Sequence, residues 1–183
     1  MKKVLIIIGI LLVTLTTQAQ QIAVKTNGLM WAATMPNLSM EFVTGEHSSL
    51  DLTAAVSQKV WSNPFKMVAV QPEYRYWFNG RPMVREYIGV AALGATYDIT
   101  WGDKMYDGDA VGAGVTIGYA LTLGKRLNVE FYGGFGAVYF RQKQYYIDDN
   151  YTDFDESEVM HVNSSGYKLI PIKLGVSISW IVK

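Results

Sequence analysis

The chain has 183 residues, half of them hydrophobic, with 17 glycines, 12 tyrosines, no cysteine and a formal charge of zero. That length suits one domain, and the missing cysteine excludes disulfides, thiolate metal sites and a lipid-modified cysteine anchor. Nothing in the charge balance suggests the basic patch of a nucleic-acid binder; removing Lys2 and Lys3 with a leader leaves 14 basic against 16 acidic residues.

Lys2 and Lys3 are followed by an apolar run over 4–13, then Thr14, Thr16, Thr17 and the small Ala19. This is the layout of a secretory signal peptide, and the run is too short to span a membrane as a helix. The expected division is a signal peptide over 1–19, cleaved after Ala19, and a single domain over 20–183.

Eight strands are predicted in the mature chain, at 22–31, 36–44, 48–60, 65–79, 84–101, 110–123, 127–141 and 167–183, with no amphipathic helix. In the third, Leu50, Leu52, Ala54 and Val56 alternate with Asp51, Thr53, Ser57 and Lys59. In the fourth, Val68, Val70, Tyr74 and Tyr76 alternate with Gln71, Glu73 and Arg75, and Pro72 predicts a bulge. The fifth sets Ile88 and Val90 on the face of Asp98, which predicts either another bulge or a later start of the strand. The sixth and seventh alternate aliphatic and aromatic residues with Gly112, Gly114, Gly118, Glu130, Gly134 and Gly136. The last is the cleanest: Ile170, Ile172, Leu174, Val176, Ile178, Trp180 and Val182 share one face, with Lys173, Gly175, Ser177 and Ser179 on the other. A period of two over such a length means an extended strand with one apolar face. Tilted strands that cross a bilayer need about 9 to 11 residues, against about 5 to 6 in soluble sheets.

The fold class expected is therefore all-β, an eight-stranded antiparallel up-and-down transmembrane β-barrel. Its apolar rows face lipid, and Lys25, Glu41, Asp51, Lys59, Glu73, Arg75, Glu130 and Lys173 form an interior polar network, with Asp98 on the same side. Eight strands leave room inside for side chains or one small ligand, so the interior is expected to be plugged. Short connections near 45–47, 79–82 and 124–126 alternate with longer ones at 102–109 and 142–166, the pattern of a barrel with both ends in the periplasm. Aromatic girdles are expected from Trp77, Phe78, Tyr87 and Trp180 at one end and Trp61, Trp101, Tyr139 and Phe140 at the other.

The 142–166 loop carries Tyr145, Tyr146, Asp148, Asp149, Tyr151, Asp153 and Asp155, a set suited to protein or glycan contact. Its acids do not fit a helix-loop-helix calcium site: counting from Asp153, position six is Glu158 and position twelve is Ser164. His161 with Ser157, Ser164, Ser165 and Glu158 is the one local set that resembles a Ser-His-acid triad. The other histidine, His47, is expected on the opposite side of the membrane.

Three segments carry a resemblance: Lys25-Thr26-Asn27 with Trp31-Ala32, Pro36-Asn37-Leu38 and Glu41-Phe42; Gln71-Pro72-Glu73-Tyr74-Arg75-Tyr76-Trp77; and 114–119 leading to Arg126-Leu127-Asn128-Val129-Glu130. Together they resemble an uncharacterised family of outer-membrane β-barrels from Bacteroidetes-type bacteria, a domain of unknown function. The resemblance implies location and topology and carries no catalytic residues. A Cys-x-x-Cys pair of some members, in the last outer loop, has no counterpart here.

The function expected is a small non-enzymatic outer-membrane barrel with an envelope-structural or surface-interaction role through the 142–166 loop. The alternatives are a lipid-modifying acyl hydrolase or transferase and a lipocalin-like carrier of apolar ligand. Expected partners are outer-membrane lipid and lipopolysaccharide, with a protein or glycan at the outer loops, no cofactor, no nucleic acid, and a monomeric state.

Overall fold

A computed structural model describes residues 21–60, 63–102, 104–146 and 164–182. The expected signal peptide lies outside them. Eight antiparallel strands follow in chain order: β1 Ile22–Asn27, β2 Asn37–Val43, β3 Ser48–Val60, β4 Asn63–Trp77, β5 Arg85–Trp101, β6 Lys104–Thr122, β7 Leu127–Tyr146 and β8 Ser164–Ile181. One short helix, α1 Gly28–Ala32, stands between β1 and β2. Each strand pairs with the next and β1 pairs with β8, so the sheet returns on itself as a closed barrel.

The alternation sorts the two faces. Leu38, Val68, Val90, Ile117, Phe135, Leu174 and Ile178 are exposed on the outside, while Lys25, Glu41, Asp51, Glu73, Arg75 and Glu130 are buried within. Charged side chains are almost never fully buried unless paired, so the inner ones require partners.

Closure does not extend over the whole height. Strands β1 and β2 have 6 and 7 residues, fewer than the about 9 to 11 that a tilted strand needs to cross a bilayer. The β1 ladder to β8 stops at Asn27 opposite Ser177, and the β2 ladder to β3 stops at Asn37 opposite Ala55. Beyond these points β8 is laddered to β7, and β3 to β4, on one edge. The expectation of eight full-height transmembrane strands is thus corrected to a ring complete at the end that carries the short turns and notched between β8 and β3 at the far end. Among the described residues no helix is long and apolar enough to cross a membrane.

In the notch sits α1, where the sequence pattern implied continued strand. Asn27 ends β1 and caps the helix, its side chain accepting from the backbone N–H of Leu29 at 2.9 Å and of Met30 at 3.4 Å. Asn37 fastens the return: its Oδ1 accepts from Asn27 N at 2.7 Å and its Nδ2 donates to Asn27 O at 3.0 Å. The turn end is closed differently. Pro82 and Met83 fold inward and are buried, with Met83 at φ 64 and Asn128 Nδ2 donating to its carbonyl at 2.7 Å.

Two register shifts correct the predicted faces. One, between Ser57 and Lys59 in β3, turns Lys59 out to solvent while Ser57 stays in. The other, where Gly134 and Phe135 meet Lys173 and Pro171, brings Ile172 inside next to Lys173 and leaves Leu169 and Tyr167 outside. The bulges expected at Pro72 and within β5 do not occur. The β4 to β5 ladder skips Gln71 and Pro72 and resumes in the same register, and β5 pairs with β6 without a shift from Arg85 to Trp101. Asp98 accordingly lies outside, 3.3 Å from Lys66. The longer connections also shrink, since 104–109 pair with 96–101 and the strands β7 and β8 reach Tyr146 and Ser164. Of the expected girdles, Phe78, Trp101 and Trp180 are exposed, whereas Trp77 and Tyr87 are buried inside the barrel, their rings tilted by 46° with centroids 4.8 Å apart.

Candidate functional site

Register builds the site. Glu41 stands opposite Asp51, and Asp51 opposite Glu73, so three adjacent strands set three carboxylates side by side on the inner face. Like charges directly opposed across a sheet are destabilising, and unit charges 4 Å apart interact by about 4 kcal/mol at an effective dielectric constant near 20. Such a row needs interleaved cations.

Arg75 makes more of the ion pairs than either lysine. It lies two residues from Glu73 on the same face, where its Nε and Nη2 reach Glu73 Oε2 at 2.9 and 2.8 Å. Its Nη1 reaches Glu41 Oε2 at 3.2 Å and Glu130 Oε2 at 3.0 Å, and its Nη2 reaches Asp51 Oδ2 at 3.2 Å. One guanidinium therefore touches all four buried acids, which the planar five-donor fork of arginine allows and a lysine ammonium does not. Its flat side lies over the Tyr87 ring, 4.5 Å from the centroid.

Two lysines complete the network. Lys25 from β1 pairs with Glu41, with Asp51 at 2.9 Å and with Glu130 at 2.9 Å. Lys173 from β8 pairs with Glu73 at 2.5 Å and lies 3.7 Å from Asp51. Hydroxyls take up further lone pairs: Ser49 donates to Glu41, Thr116 to Glu73, and Thr53 to Asp51 at 2.9 Å. Trp77 Nε1 donates to Ser49 Oγ at 2.8 Å. Glu130 Oε1 is without a hydrogen-bond partner among the described residues.

Glycine makes room for these side chains. A Cβ at Gly89 would stand 2.5 Å from Thr116 Oγ1 and 2.8 Å from Glu73 Oε1, and one at Gly118 would stand 2.4 Å from the Tyr87 ring.

A family model described as "Protein of unknown function (DUF3575)" matches residues 5–182. The chain belongs to that family. The description of DUF3575 gives no compartment, bacterial group or activity, so the outer-membrane family inferred from motifs is corrected to this one. No curated protein and no solved structure matches the chain.

Of the expected network in this DUF3575 chain, seven residues come together: Lys25, Glu41, Asp51, Glu73, Arg75, Glu130 and Lys173. Lys59 does not join them. The supporting Ser49, Thr53, Thr116, Trp77 and Tyr87 were not among the predicted network; their only signal was inward phase on strands that also carry acids. Tyr145 and Tyr146 belong to β7, opposite Met105 and Lys104. Asp148, Asp149, Tyr151, Asp153 and Asp155 lie outside the described residues, as do Ser157, Glu158 and His161, whereas Ser164 and Ser165 of that set begin β8 opposite Gln142 and Arg141. His47 lies at the turn end, stacked on Tyr76 at 5.6 Å with Nδ1 donating to Trp77 O at 3.2 Å.

The functional expectations are corrected accordingly. The interior is plugged over only part of its height: above the charged layer lies a cavity of about 270 Å³. Residues 142–146 and 164–166 are strand, and the rest of the segment on which a surface role was to rest lies outside the described residues. A lipocalin-like carrier has an apolar interior and a polar exterior, and the charged layer with its apolar surround is the opposite. Among the described residues no group of three or more His, Cys, Asp or Glu is arranged to hold a metal ion.

Proposed function

We propose that this chain works in the outer membrane, with lipid around its apolar exterior, lipopolysaccharide at its outward-facing rim and the charged layer serving as a structural core. One observation carries the reading: large apolar residues are exposed on every strand from β2 to β8, whereas seven charged side chains are buried inside. Monomers of soluble proteins rarely expose contiguous apolar patches beyond a few hundred Å². A Lys or Arg facing lipid at the bilayer midplane costs about 2 to 4 kcal/mol, and the outward rows are apolar through their middle. The expected state is a monomer.

The test is fractionation of cells expressing the full chain, followed by electrophoresis of the membrane fraction with and without boiling. The expected result is recovery with the outer membrane and a band whose mobility changes on heating. Recovery of a folded, monodisperse protein in buffer without any amphiphile overturns the reading.

A further inference from the structure

The far half of the interior differs chemically from the charged layer. Ala55 stands opposite Ala69, Ala69 opposite Ala95, and Ala95 opposite Ala110, so four neighbouring strands set a row of methyl groups where larger side chains would fill the barrel. The resulting cavity, about 270 Å³, is walled further by Met67, Leu93 and Ile172, and Gln71 and Lys173 line its charged-layer side. Lys173 is engaged by Glu73 at 2.5 Å, and Gln71 Nε2 donates to Ile172 O at 2.9 Å. Asn27, Thr53 and Tyr132 also line it and are engaged by Leu174 O, Asp51 and Ser177, so the polar groups are already occupied and the rest of the wall is hydrocarbon.

The cavity also reaches the wall. Met30 of α1 lines it together with Pro171 and Leu174, and Leu174 is among the most exposed apolar residues of the outer face. These residues border the notch between β8 and β3. There the barrier is α1 and residues 33–36, held by Asn27 Nδ2 to Leu174 O at 3.0 Å and Thr34 Oγ1 to Lys59 O at 2.6 Å. Pro171 suits this place, since proline in sheets is confined to edges and bulges.

We infer that the far half of the barrel is a binding site for one hydrocarbon chain, the tail of a surrounding lipid, entering sideways through the notch beside α1. The inference rests on the lipid-embedded reading above. Apolar cavities of about 150 Å³ stay dry and accept apolar guests, while pockets for drug-sized ligands begin at about 300 Å³. A single narrow chain fits between these limits, and an anionic headgroup finds no free cation on the cavity's charged side.

The test reconstitutes the mature chain in phosphatidylethanolamine and phosphatidylglycerol vesicles doped with a phospholipid bearing a diazirine near the end of one acyl chain. Labelled peptides are read by mass spectrometry after irradiation. The expected label falls on Met67, Leu93 or Ile172 as well as on the outer face. In Ala69→Leu, and separately in Ala95→Leu, interior labelling is expected to fall by about tenfold, equivalent to about 1.4 kcal/mol of chain binding. Labelling of the outer face and the heat-dependent gel shift should stay unchanged, which shows that the variants fold. Label on the outer face with none inside overturns the inference and leaves the membrane reading intact. No label on either face overturns the membrane reading. Interior labelling by a free fatty acid carrying the same diazirine, but not by the phospholipid, overturns sideways entry of a lipid tail.

Discussion

Replacing Arg75 by methionine removes the one group that touches Glu41, Asp51, Glu73 and Glu130, at separations of 2.8 to 3.2 Å. Four carboxylates would then face Lys25 and Lys173 alone, and the excess of acid over base would rise from one to two. Breaking a buried ion pair by deleting one partner costs about 3 to 5 kcal/mol, because the remaining charge stays buried. Arg75 serves four partners, so the loss should lie at or above the top of that span, against a total stability of about 5 to 15 kcal/mol for a folded domain. Relief from desolvating the guanidinium itself, several kcal/mol, keeps the sum well below four separate pairs. The assay is urea unfolding in vesicles, followed by tryptophan fluorescence and by the heat-dependent gel shift. Adding Glu73→Gln to Arg75→Met should recover part of the loss, since the acid that makes the closest contacts is then neutral, and the double-mutant cycle should show coupling of about 0.5 to 3 kcal/mol. An Arg75→Met protein within about 1 kcal/mol of the parent, a change typical of ordinary point mutations, would refute the account of the charged layer.

The exposed pair provides the contrast: Lys66 and Asp98 sit 3.3 Å apart on the outside, and Lys66→Ala should change stability by about 0 to 1 kcal/mol in the same assay. Lys59→Glu should be near neutral while Lys25→Glu prevents folding, measured as the fraction of heat-shifted band, because only Lys25 is buried among the acids. Gly118→Val places carbon where the Tyr87 ring lies 2.4 Å from a built Cβ, and overpacking of this kind should cost about 1 to 3 kcal/mol in urea. Asn27→Ala removes the α1 cap and its bond to Leu174 O. A loss of about 0.5 to 2 kcal/mol is expected, with faster protease cleavage at 28–36 than elsewhere.

Much of the barrel was legible because alternation with a period of two is a local signal. The inward phase of Asp51, Glu73, Arg75, Glu130 and Lys173 could be read from neighbours along each strand. What could not be read was register, which is a property of two strands at once. The opposition of Glu41, Asp51 and Glu73 depends on how β2, β3 and β4 slide against one another. Lys59 was misplaced because the irregularity after Ser57 inverts the phase without any mark in the sequence. Ile172 was misplaced for the same reason, although Pro171 beside it was a hint of a broken ladder. The end of β1 was misjudged at Asn27, whose capping side chain competes with strand continuation and wins once Asn37 holds the return.

The seam between the chain's two extremities consists of five residue pairs, from Ala23 opposite Ile181 to Asn27 opposite Ser177. Lys25 belongs to that seam, and its ammonium neutralises carboxylates contributed by three other strands. An assembly intermediate with the seam unzipped keeps Lys25 beside Glu41 and Asp51 through the ladders from β1 to β3, and parts it from Glu130 of β7. Docking of the first strand against the last restores that contact, so the circle closes on an ion pair as well as on backbone hydrogen bonds.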